Sequence, residues 1–242
     1  ATRLPVARMP PLSLRGRGHT GSRLQPRCGA ALARCLFAGS RQFLRTSTLF
    51  MQRFDLNQIP HSPWKNGGGS TREIVCFPPG AGMDSFAWRI SVATIAQAGP
   101  FSAFAGIDRQ IMLLDGDGVE LVAQQAGIHH ALQPRWQPFA FAGDVALDCT
   151  LLGGRSTDFN VMTRRGEWTA TVQVIHAEQV RPDSPAGLCM VLDGSWKIAD
   201  DAQLTPGQGL WWSPSQPLPE MLTLTPQEKS AHLVWVSLTP SL

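Results

Sequence analysis

The segment Trp64-Lys-Asn-Gly-Gly-Gly69 carries the residue types that a small-ligand site needs. Consecutive glycines allow close backbone approach or positive φ, and amides exposed in that way can donate to an anion. Lys65 adds a charge, Asn66 a donor and an acceptor, and Trp64 an aromatic wall, with Glu73 a few residues on. Pockets for small molecules combine such walls with a few convergent polar groups. A flexible turn between strands uses the same composition. The run lacks the G-x-x-x-x-G-K-[ST] pattern, so it is not a phosphate loop. Trp64, Lys65, Asn66, Gly67, Gly68 and Glu73 are therefore candidates for ligand contact.

Arg89 and Ser91 alternate with Trp88, Ile90 and Val92. If that apolar face packs on another part of the protein, Arg89 points into an interior; otherwise it is a solvated arginine on an outer sheet face. Asp108 and Arg109 precede an apolar run, where they either cap a turn or present Arg109 to a cavity. A guanidinium in a cavity suits a carboxylate, because its planar fork donates two parallel hydrogen bonds. Asn160, in Asp158-Phe-Asn160, adds an amide that can read a polar ligand, while Arg164-Arg165 suits a surface turn equally well.

No reaction is forced by this set. If the protein is an enzyme, Glu73 is the best base, since it alternates with apolar residues in a strand that starts at the glycine loop. There is no G-x-S-x-G elbow and no Cys–His signature. His176 ends an alternating stretch on its apolar face and reads as a core imidazole. His129 and His130 are adjacent, so on a regular strand they point to opposite faces and cannot chelate one ion together. No metal and no other cofactor is expected.

The elements that must position these residues are short strands. Phe86, Trp88, Ile90 and Val92 form one period-two face, and Trp168, Ala170, Val172 and Val174 another. Ile111–Leu114, then Asp115-Gly-Asp-Gly118, then Val119–Val122 reads as a hairpin, and Cys189–Leu192, Asp193-Gly194, Ser195–Ile198 repeats it. No window after residue 50 supports a long amphipathic helix. The expectation is an all-β double-stranded β-helix, a jelly roll, in two related halves. The N-terminal half covers residues 51–165, and the C-terminal half, 166–242, packs against it.

The 242 residues are 43% apolar and 16% charged, a globular composition, and no apolar run is long enough to cross a membrane as a helix. The net charge of +3 sums two unlike parts. Residues 1–50 hold nine Arg and no Lys or acid, leaving 12 Lys plus Arg against all 18 acids in the rest. That remainder is acidic, which argues against a nucleic-acid footprint, while its cysteine use agrees with a reduced, cytoplasmic setting. Residues 1–50 are expected to be a disordered or non-native leader: upstream sequence read through ahead of Met51, with an organelle transit peptide as the rival. Cys76, Cys149 and Cys189 in the body are odd in number and widely spaced, so neither a disulfide framework nor a zinc site is indicated.

Taken together, Trp64–Gly69 with Thr71 and Glu73-Ile74, Phe86–Ser91, Gly99–Ser102, Phe104–Arg109, Leu152–Gly154 and Asp158–Met162 resemble the HutD/Ves family. The likeness runs in order through the first two-thirds of residues 51–242. The resemblance implies a bicupin (RmlC-like) fold and an association with bacterial histidine utilisation, with a regulatory small-molecule-binding role. Catalytic cupins hold a metal through a His-x-His pair, and the corresponding stretch here, Ser102 to Arg109, has no His. The expected partner is a small anionic metabolite such as urocanate or formylglutamate. The rivals are a metal-independent isomerase or hydrolase of small acids, and an interaction module that self-associates as a homodimer.

Overall fold

The computed structural model describes residues 51–182, 184–198, 202–217 and 221–242. The expected leader lies outside the described residues.

Among the described residues, nineteen strands follow one another with two single-turn 3-10 helices between them. They are β1 (Gln52–Asp55), β2 (Ser62–Pro63), β3 (Gly69–Phe77), β4 (Trp88–Ile95), β5 (Gly99–Phe101) and β6 (Ile107–Asp115). After these come β7 (Val119–Ala123), β8 (Ile128–Leu132), β9 (Phe139–Ala142), β10 (Leu147–Leu151), β11 (Ser156–Arg164) and β12 (Trp168–Ile175). The chain ends with β13 (Gln179–Pro182), β14 (Ala186–Asp193), β15 (Trp196–Ile198), β16 (Ala202–Leu204), β17 (Gln208–Trp212), β18 (Met221–Pro226) and β19 (His232–Pro240).

Each half is a sandwich of a long and a short antiparallel sheet. The order is β2-β3-β4-β11-β6-β9 over β5-β10-β7-β8 in the first half, and β1-β17-β14-β19-β12 over β13-β18-β15-β16 in the second. The two long sheets pack on each other through Trp88, Ile90, Val92, Met112, Phe159 and Val161 on one side and Leu188, Met190, Val234, Val236 and Leu238 on the other. Burial of those alternating faces joins the halves, and it turns the opposite face of each long sheet inward, toward its own short sheet.

Two expectations change. The segments 111–122 and 189–198 are not hairpins, because β6 and β7, like β14 and β15, belong to different sheets. At Asp115–Gly118 the chain turns a corner from the long sheet to the short one. Gly116 (φ +98°) and Gly118 (φ +94°) make the corner, and a Cβ there would lie 2.4 Å from the Arg155 carbonyl oxygen or 2.5 Å from that of Leu132, respectively. Asp-Gly punctuation reports a sharp turn, not which strands it joins. The division at residue 165/166 also has an exception. β1 pairs with β17, so Gln52–Asp55 belong to the sheet of the second half. Among the described residues no helix is long and apolar enough to cross a membrane.

Candidate functional site

Strand register decides which polar side chains meet. β4, β11, β6 and β9 run side by side, with Arg89 opposite Met162, Met162 opposite Arg109, and Arg109 opposite Phe141. One step along, Glu73, Ser91, Asn160 and Ile111 are in line, and one step further come Ala93, Asp158 and Leu113. Directly opposed residues share a face. Arg89, Ser91, Asp158, Asn160 and Arg109 therefore all face the lumen of the N-terminal half, and all are buried. Around them the lumen is apolar, with Ile95, Ile111, Leu113, Leu121, Leu132, Leu147 and Cys149.

Arg89 is satisfied. Its Nε donates to Glu73 at 2.6 Å and its Nη1 to the Ser91 hydroxyl at 3.2 Å. Glu73 lies at the rim, its side chain 47% exposed, and is engaged as the partner of Arg89. Arg109 is different. It is 4% exposed, and its guanidinium carbon lies 4.7 Å from the ring centre of Phe101, 5.5 Å from Phe104 and 5.1 Å from Phe141. Its Nη1 reaches the Ser102 carbonyl at 3.3 Å, and its Nε has no partner. Burial pulls its pKa down to about 10, against the attraction of Asp158.

Neither carboxylate oxygen of Asp158 has a hydrogen-bond partner, and the Asn160 side-chain oxygen also has none. Burial pushes the Asp158 carboxyl up to about 7, opposed by the Arg109 charge. Desolvation disfavours a charged carboxylate held among apolar groups. The Cys149 thiol, across the lumen, is pushed up to about 11 by burial and then by Asp158. Unpaired buried polar atoms are costly and rare, yet those of Arg109, Asp158 and Asn160 stand together on one inner wall.

The glycine segment forms the hairpin between β2 and β3. Gly67 takes φ +72°, and the Asn66 side-chain oxygen accepts from the Gly68 amide at 3.0 Å, so both shape the turn. Gly69 is packed under the Trp64 ring, which would lie 2.9 Å from a Cβ there. Trp64 donates to the Thr71 hydroxyl at 2.8 Å and packs on the apolar side of the lumen. Lys65 is exposed on the turn. Of this segment, Trp64 alone closes the lumen.

Asp108 does not accompany Arg109. Successive strand residues face opposite ways, and Asp108 pairs with Arg165 at 2.7 Å. Arg165 also holds Asp144 at 2.6 Å, and Arg164 donates to the backbone carbonyls of Phe86 and Asp84. His176 corrects another expectation: it lies just past the end of β12, is exposed, and has its ring 6.2 Å from that of His232. Asp158, Phe101, Phe104 and Phe141 are the site residues that sequence reasoning missed. The signal for Asp158 was its place two residues before Asn160 in an alternating strand.

A divalent metal, common in jelly rolls of this type, does not fit this donor set. The inner wall offers two guanidinium groups, a hydroxyl, an amide and one carboxyl. Cationic neighbours oppose a cation, and neither imidazole nor thiolate joins them. Among the described residues no three His, Cys, Asp or Glu side chains gather closely enough to ligate an ion. A groove of about 370 Å³ opens beside β12, lined by Asp108, Gln110, Val161, Thr163, Thr169 and Ala170, and also by Arg109, Ala140 and Phe141. Asp108, Gln110, Val161 and Thr163 alternate along their strands with Arg109, Asn160 and Met162 and face away from the polar lumen, while Arg109 and Phe141 border both.

Comparison with known proteins agrees on one family. The sequence profile of HutD matches residues 56–234. Protein Ves from Cronobacter sakazakii is 42% identical over 163 residues, spanning 67% of this chain and 87% of that protein. The solved structure of HutD from Pseudomonas fluorescens SBW25 superposes with a TM-score of 0.67 at 30% identity, covering 79% of this chain and all of the other. A cupin conserved barrel domain protein from Leptotrichia buccalis, 9% identical with a TM-score of 0.52 over 78% of this chain and 96% of that one, shares the fold alone.

Proposed function

We propose that this protein, which belongs to the HutD family, binds a small carboxylic acid in the lumen of its N-terminal cupin half, as a regulatory component of histidine utilisation. The observation that carries the reading is Arg109: a caged, buried guanidinium with an unpartnered Nε, on the same inner wall as the unpartnered oxygens of Asp158 and Asn160. A buried cation with donors to spare is stabilised by an anion, and a carboxylate matches its fork. Trp64 and the phenylalanines supply the apolar walls that would cover the rest of a small acid.

Urocanate and formylglutamate are the acids of choice, and here the support is the resemblance to the HutD/Ves family, with its association with histidine degradation. The cytoplasm is the corresponding compartment. The enzymatic alternative is weaker, because Glu73, its base, is engaged by Arg89 at the rim. The test is a thermal-shift and calorimetric screen with both acids, followed by product analysis. Binding without turnover supports the reading; conversion of either acid would replace it with catalysis.

A further inference from the structure

The lumen presents an imbalance of hydrogen-bonding groups. Among the described residues, its fully buried side-chain atoms without a partner are three oxygens, two on Asp158 and one on Asn160, and the Nε–H of Arg109. An anionic ligand brings acceptors, so it satisfies Arg109 and leaves the oxygens worse off. If Asp158 were ionised, it would also place a second negative charge beside the ligand in a poorly solvated space. One change resolves both problems: a proton on Asp158 turns an acceptor into a donor and removes the charge.

We propose that Asp158 takes part in binding as a neutral carboxylic acid, donating its proton in a hydrogen bond to an acceptor oxygen of the anion that Arg109 holds, so that filling the lumen takes up one proton. The inference rests on the reading of the lumen as a carboxylate site and adds a specificity rule to it. Ligands that offer acceptors at both ends are preferred, and ligands that need an acceptor from the protein at that point are not.

The burial of Asp158, at 2% exposure, sets the proton's affinity high enough to matter near neutrality. The surrounding groups do not mask it. From β6 comes Arg109, from β4 Arg89, from β3 Glu73 already bound to Arg89, and from β10 the Cys149 thiol, which stays protonated throughout. His130 on β8 is stacked on Phe139 at 3.7 Å, and burial lowers its pKa, which disfavours its charged form. Arg109, pulled down to about 10, keeps its charge over the same range. Asp158, whose carboxyl burial raises to about 7, changes charge near neutral pH.

The experiment is a titration of the whole chain with formate, which carries acceptors and no N–H, and with urocanate, between pH 6 and pH 8.5. Wild type, Asp158→Asn and Arg109→Lys are compared, with melting curves to establish that each is folded. In wild type the affinity for formate should be flat toward the acid end and fall by at least about tenfold by pH 8.5, with proton uptake seen as a dependence on buffer ionisation heat. Asp158→Asn keeps a donor without a titrating proton, so its affinity should not change with pH. A flat wild-type profile, with Arg109→Lys still weakening binding, would overturn the proton coupling and leave the lumen as a carboxylate site. No binding of either acid, or binding indifferent to Arg109→Lys, would overturn both.

Discussion

At equivalent points of their long sheets, the two halves place opposite chemistry. In the N-terminal half Arg109 stands between Met162 and Phe141, Ile111 beside Asn160, and Leu113 beside Asp158. In the C-terminal half the same register holds Gly187 between Ser237 and Trp212, Cys189 beside Trp235, and Val191 beside Leu233. Where one half has an arginine, the other has a glycine whose missing side chain leaves room for the Trp212 ring, 2.4 Å from where a Cβ would sit. Where one half has asparagine and aspartate, the other has tryptophan and leucine. Trp196, Trp212 and Trp235 with Leu210, Leu222, Leu224 and Leu233 fill the second lumen as a core. Its one unpartnered buried side-chain polar atom among the described residues is the Trp196 indole nitrogen. The same strand plan thus carries a packed apolar core on one side and unpartnered buried polar groups on the other.

The largest effect should come from opening the filled lumen. Trp212→Ala removes a ring with no exposed surface and strands the Ser184 carbonyl, which Trp212 Nε1 now bonds at 2.8 Å. A loss of roughly 3–5 kcal/mol in denaturant unfolding is expected. Affinity for carboxylates should survive in the folded fraction; loss of affinity in folded protein would mean that the second lumen is not merely a core.

Asp158→Asn should act in the opposite direction. The folded-state pKa, about 7, is raised above the ordinary 3.8. Between those values the folded chain holds a proton that the unfolded chain releases, so this group's contribution makes stability fall as pH rises through the window and level off above it. The substitution removes that penalty and should stabilise the ligand-free protein by on the order of 3 kcal/mol at pH 8, with little change near pH 4. A destabilised Asp158→Asn at pH 8 would show that the carboxylate is satisfied in the native lumen.

Arg109→Lys keeps the charge and loses the fork. Urocanate affinity should drop by roughly 1.5–3 kcal/mol, more than tenfold, in calorimetry on folded protein. Unchanged affinity would shift attention to Arg89. The smallest effect belongs to the glycine hairpin: Asn66→Ala loses one acceptor for the Gly68 amide and should cost roughly 0.5–1.5 kcal/mol in melting, with no effect on ligand affinity.

Much of this contrast could be read from the sequence, and some could not. Alternation at 86–92 and 168–174 gave the faces that join the halves, because burial on one side of a strand writes a period of two. It also left Arg89 and Ser91 on the inward face once the apolar face was packed. The glycine run drew attention for its composition, yet Asn66 and Gly67 are occupied in shaping a turn, a role that has the same composition as a binding loop. Asp108 was paired with Arg109 because they are neighbours in sequence, whereas neighbours on a strand face apart. Asp158 escaped notice because its significance is an absence of partners, set by four strands that come from distant parts of the chain. Pairing of Asp115-Gly and Asp193-Gly with hairpins failed for a related reason: the corner residues fix a turn, while the choice of sheet is made by packing far from it.

The central claim, that the N-terminal lumen is a carboxylate site and the C-terminal lumen a core, is tested most directly by a crystal structure of the protein with urocanate or formylglutamate near pH 6. The account predicts a carboxylate at hydrogen-bonding distance from Arg109, with a second ligand oxygen against Asp158, and an unchanged tryptophan cluster in the other half. A ligand seated in the outer groove beside β12, or between the tryptophans of the second half, would contradict it.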